Sequence, residues 1–170
     1  MSAIRGPFDA PPIHWRSRLF VPGAVMLGSL VTILPVIVTF PILPPFGLLM
    51  LLAWRLPRPE VLPIWSPLLL GLFDDLVSGQ PIGSAMLLWT LCFFMIDVID
   101  RRLMFRDFWQ DWLIAAGAVT ACLVLARLIA APFGAHVDTV LVLQLIASVL
   151  AFPLVARLVG WIDAKRSRPA

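Results

Sequence analysis

Gly71-Leu-Phe-Asp-Asp-Leu-Val-Ser-Gly-Gln-Pro-Ile-Gly83 lies between two apolar segments and sets two adjacent carboxylates, Asp74 and Asp75, near the end of the first. Gly71 stands four residues before Asp75, and Gly79 and Gly83 follow it at four-residue steps. At helical spacing Gly71 and Asp75 share one face, one turn apart. Gly79-Gln80-Pro81 reads as the end of one helix and a sharp reversal into the next, because glycine closes a helix and proline blocks its continuation. A carboxylate inside an apolar helix is costly and needs a physical reason.

The rest of the chain says what kind of helix this is. Of 170 residues, 61% are hydrophobic and 14% charged, and mean hydropathy is +0.96. Soluble domains carry about 25% charged residues, so the chain reads as one integral membrane unit. A net charge of +3 is then expected to mark a basic cytoplasmic surface, with no nucleic acid partner. Cys92 and Cys122 each sit midway along an apolar segment with no Cys/His cluster nearby. They read as small core residues, not as a disulfide or a metal site. The apolar run from Leu19 exceeds a signal-peptide core and lacks a small-x-small cleavage site, so no cleaved signal is expected.

Six apolar segments follow a polar lead at 1–18: Leu19–Phe40 with Pro35 inside it, Pro45–Leu56, Val61–Val77, Gly83–Val98, a fifth ending at Ala131, and Thr139–Trp161. The spans together occupy 19–161, and 162–170 is a basic tail. The expected fold is an all-α integral membrane protein of six transmembrane helices. Twelve of the thirteen Lys and Arg residues fall in the lead, the second-to-third and fourth-to-fifth loops, or the end of the sixth span and tail. The positive-inside rule therefore puts both termini in the cytoplasm. The second and third spans are short, and a re-entrant pair is the alternative to two crossings.

Counted from Val61, Asp75 lies roughly 21 Å along its helix, towards the outer boundary of the membrane. The tight turn brings the start of the next helix alongside, where the free amides of Gly83, Ser84 and Ala85 are placed to receive the carboxylate. Asp75 then stitches a helical hairpin together. Two other readings stand: a carboxylate shaping an outer cavity or partner surface, and a solvated turn. Arg127, the one basic residue away from the cytoplasm, is expected at a similar depth, where it either pairs with Asp74 or Asp75 or snorkels to the boundary. At the inner end, Asp97 and Arg101 are one turn apart and suited to pair. Phe105, Phe108, Trp109 and Trp112 form an aromatic stripe beside Arg102 and Arg106. It reads as an aromatic belt or as a cytoplasmic docking surface made by Arg101, Arg102, Arg106, Trp109 and Trp112.

Catalysis is not expected, and no cofactor is implied. An intramembrane aspartyl protease needs two carboxylates close enough to share a proton, but Asp75 and Asp97 are expected on opposite faces of the membrane. Asp74 and Asp75 point about 100° apart. Lipoprotein signal peptidases use Asn-containing motifs, and this chain has no Asn. There is no HExxH, phosphate-binding Gly-rich loop or Gly-x-Ser-x-Gly elbow.

The pattern Gly71-Leu-x-x-Asp75-x-x-x-Gly79-x-x-x-Gly83, followed by an apolar helix, resembles the rod shape-determining protein MreD family. Pro45 with a second span ending at Trp54, Pro153 followed by Arg157, the overall length and the basic tail agree with it. Asp74 and Arg127 are not part of the pattern. The resemblance implies a non-catalytic, multi-pass subunit of the bacterial inner membrane that supports lateral peptidoglycan synthesis and rod shape. Its implied partners are MreC, then RodA with a penicillin-binding transpeptidase, with MreB indirect, besides membrane lipids. It also implies a compact bundle like the substrate-binding components of energy-coupling factor transporters. The alternative function is a small-solute transporter or substrate-binding membrane component. A single transmembrane helix such as MreC's is expected along a groove of small residues, with Gly28, Ser29, Gly71, Gly117 and Ala121 as candidates.

Overall fold

Prolines decide where several of the helices start. The computed structural model describes residues 15–31, 44–102, 107–130 and 137–167, and among these it has six α-helices and no strand. They are α1 (Trp15–Val31), α2 (Phe46–Arg55), α3 (Ser66–Ser78), α4 (Ser84–Asp100), α5 (Phe108–Ala130) and α6 (Val137–Ser167). Pro45 stands at the N-cap of α2. Pro67 occupies the first turn of α3, where its missing N–H is no loss. Pro35 and Arg106 lie outside the described residues.

The expected third span from Val61 begins at Ser66 instead. Pro63 bends the chain there, and its carbonyl takes both the Ser66 amide (2.9 Å) and the Ser66 hydroxyl (2.7 Å). α3 is therefore about 20 Å long and α2 about 15 Å, both short of a bilayer's apolar thickness. α5 and α6 are long and apolar enough to cross. α6 continues to Ser167, so most of the expected tail is its last turns, and Lys165 lies 5.2 Å over the Trp161 ring.

α2 is the buried centre. Eight of its ten residues are buried, and it packs against α1, α6 and, more lightly, α5. An apolar helix of ten residues suits a protein core better than a lipid-facing span. Around Leu48, Leu49, Leu51, Leu52 and Trp54 gather Val21 and Val25 of α1, Phe152 and Val159 of α6, and Ala115 and Val119 of α5. α3 packs on α4 and α1, while α5 packs on α4 and α6.

Pro153 lies inside α6. Lacking an N–H, it leaves the carbonyl four residues earlier, that of Val149, without its helical donor. The Trp112 indole N–H of α5 donates to that carbonyl at 3.1 Å. A freed backbone acceptor in an apolar setting must be satisfied by a neighbour, and this bond ties α5 to α6 at the point of the break. Trp112 is thus half-buried against the core.

Candidate functional site

The α3–α4 hairpin is built around Asp75, which is 1% exposed. Its Oδ1 accepts from the Ser84 hydroxyl at 2.9 Å and the Ala85 amide at 2.8 Å. Its Oδ2 accepts from the Gly83 amide at 2.9 Å and the Met86 amide at 3.3 Å. Four donors and no acceptor surround the group, the complement of a carboxylate. Three of them are first-turn amides of α4, which have no partner within the helix and carry its positive end. The Ser84 amide is not among them, because it donates to the Pro81 carbonyl at 3.0 Å. A solvated turn is excluded by this burial.

Two glycines give the hairpin its shape. Gly79, closing α3, has φ +67°, and Gly83, opening α4, has φ +97°, the left-handed region that costs other residues. Neither is crowded, so conformation and not space selects glycine there. Gly71 is the opposite case. A Cβ at Gly71 would stand 2.6 Å from Met86 Cα and 2.7 Å from its nitrogen, so its absence lets α3 lie on the backbone of α4 opposite the carboxylate.

Asp74 faces elsewhere. Its carboxylate lies against the Ser29 hydroxyl of α1, and both meet the open face of Gly47 on α2, beside the Trp89 ring of α4. Four helices thus converge on one half-buried acid. Ser29 and Gly47 were not linked to Asp74 in the sequence; the available signal was a lone glycine in the apolar run after Pro45. Arg127 sits in the last turn of α5, a helix packed on α4 and α6, whereas the polar neighbour of Asp74 comes from α1.

At the far end of α4, Arg55 is 5% exposed. It reaches Asp97 at 3.5 Å and Asp100 at 3.4 Å, and its guanidinium lies 5.4 Å from the Phe93 ring centre. The sequence counted Arg55, at the end of the second span, with the basic residues of the second-to-third loop; its acidic partners on α4 were not foreseen. Asp97 also binds Arg101, at 2.8 Å, as the one-turn spacing suggested. Arg58 meets Asp163 of α6 at 2.7 Å. Arg101 is therefore committed, while Arg102 and Trp109 face outward.

The cysteines come together across α4 and α5, with free thiols 3.2 Å apart. Of the small residues expected to line a partner groove, Gly28 packs on Met50 and Phe46, Ser29 on Asp74, and Gly71 on α4. They serve contacts within the chain. Gly117 has nothing near it and Ala121 is exposed.

A family model described as rod shape-determining protein MreD matches residues 17–163. No curated protein and no solved structure matches the chain.

Proposed function

Because the chain belongs to the rod shape-determining protein MreD family, membrane proteins with a role in setting rod shape, we propose that it is a non-catalytic, multi-pass subunit of the cell-elongation machinery. On this reading both termini are cytoplasmic, as the basic residues of the loops and ends favour. It supports lateral peptidoglycan synthesis through helix contacts with an MreC-type single-pass partner, and through it with RodA and a penicillin-binding transpeptidase.

The single observation that carries the reading is the family match over 17–163. The geometry agrees in kind. The polar side chains that meet in the interior hold helices to each other: Asp75 to the start of α4, Asp74 to Ser29, Arg55 to Asp97 and Asp100. A chain so arranged offers partners a fixed helix surface, and Gly117 and Ala121 on α5 are the small residues left open for close approach.

Depletion in a rod-shaped host is the direct test. Rounding of the cells, reversed by the wild-type chain, together with co-purification of the MreC-type partner, is the expected result. Cells that stay rod-shaped on depletion would refute the reading. So would saturable binding of a small solute by the purified protein with no partner recovered.

A further inference from the structure

Between α4 and α5 lies an apolar groove of about 420 Å³, lined on α4 by Leu88, Cys92, Met95 and Ile99 and on α5 by Leu113, Gly117 and their neighbours. The α4 residues recur at steps of four, three and four, and the next step of three is Arg102. Arg102 stands two residues past the end of α4, in a turn where its amide donates to the Ile99 carbonyl at 2.9 Å, so a cation follows one turn beyond the groove. Arg102 is exposed and, among the described residues, its guanidinium has no ion-pair or hydrogen-bond partner. On the other wall Trp109 lies one turn before Leu113 and is 69% exposed, with its indole N–H unpartnered among the described residues. The acids of α4 point away, Asp97 to Arg101 and Arg55, and Asp100 to Arg55.

We propose that the α4–α5 groove is a binding site for an anionic glycerophospholipid, one acyl chain lying along the groove and the phosphate resting on Arg102 and the Trp109 indole. Charge favours this occupant. An apolar groove with a free guanidinium one turn beyond it on the α4 side and a free indole donor one turn before it on α5 matches a lipid's tail and phosphate in order. The site rests on the reading of α4 and α5 as membrane helices and does not depend on the partner proteins. Asp107, exposed before the first turn of α5, opposes an anion at this end and limits the preference.

The test is native mass spectrometry of the full chain in detergent, titrated with phosphatidylglycerol and with phosphatidylcholine of the same acyl chains. The expected result is at least threefold better retention of phosphatidylglycerol. Arg102→Gln abolishes that preference while leaving phosphatidylcholine retention unchanged, and Asp107→Asn increases it. Gly117→Leu, which fills the groove, reduces retention of both lipids. Arg102 is exposed and unbonded, so its replacement is not expected to affect folding, and the readout is a ratio within one preparation. Equal retention of the two lipids by the wild type would overturn the proposal, as would an unaltered ratio in Arg102→Gln. Displacement of both lipids by a second copy of the chain or by a polyprenyl phosphate would overturn it too. Since the isolated chain is used, lost lipid preference with intact shape support refutes the site alone, and the reverse refutes the functional reading alone.

Discussion

Replacing Asp75 with Asn, Ala or Leu separates a structural latch from a charge offered to a partner. In Asp75→Ala the four donors at 2.8–3.3 Å lose their acceptor. The Ala85 amide is buried and has no water to turn to, whereas the Ser84 hydroxyl can rotate and the Gly83 and Met86 amides are partly hydrated. With about 1–3 kcal/mol for a stranded buried donor and similar amounts for charge-assisted bonds, the loss comes to about 4 kcal/mol. Asn is an imperfect substitute. Its oxygen keeps the Ser84 and Ala85 donors, but its NH2 stands where Oδ2 accepted from Gly83 and Met86, donor against donor. A cost of about 2 kcal/mol follows, which leaves a gap between Asn and Ala of roughly thirtyfold in the folding constant. Leu adds bulk against the first turn of α4 and is expected to be the worst. Equilibrium unfolding in mixed micelles, followed by tryptophan fluorescence, reads these differences, and shape complementation in cells reads function. An Asp75→Ala protein within about 0.5 kcal/mol of wild type, well below the cost of a stranded donor, would refute the latch. Equal loss of shape support for all three, with wild-type unfolding, would show that the charge itself is recognised.

Gly71→Ala forces a methyl into the backbone of Met86 and is expected to cost about 3 kcal/mol or more, since overpacking against main chain has no side chain to yield; micelle unfolding checks it. Trp112→Phe strands the Val149 carbonyl and should cost about 1–3 kcal/mol, but far less in a Pro153→Ala background, where the helix supplies its own donor. A double-mutant cycle with no coupling would refute that account. Arg55→Leu removes the cation that reaches both Asp97 and Asp100 in a largely buried setting and is expected to cost about 2 kcal/mol, reduced from the fully buried case because both acids retain some exposure. Arg58→Leu, which breaks a surface pair, should cost no more than about 1 kcal/mol. Mild oxidation of membranes is expected to join Cys92 and Cys122 into a disulfide, read as the loss of two maleimide-reactive thiols; thiols that both stay reactive would contradict their proximity.

What the sequence alone determined is local and compositional. Hydropathy made the chain helical and membrane-bound. The glycine steps around Asp75 located the hairpin, because a helix end and a left-handed residue are fixed by a few neighbouring residues. The Asp97–Arg101 pair followed from one-turn spacing. Only the tertiary structure decided which apolar segment is core and which faces lipid. α2 reads from its composition like any short span, yet it is the centre, because burial depends on what packs around a helix and not on its own residues. The same limit hid the partners of Arg55, the Ser29–Gly47–Asp74 meeting point and the Trp112 bond to Val149. Each joins helices distant in the chain, and no periodicity within one segment encodes which neighbour another segment will meet.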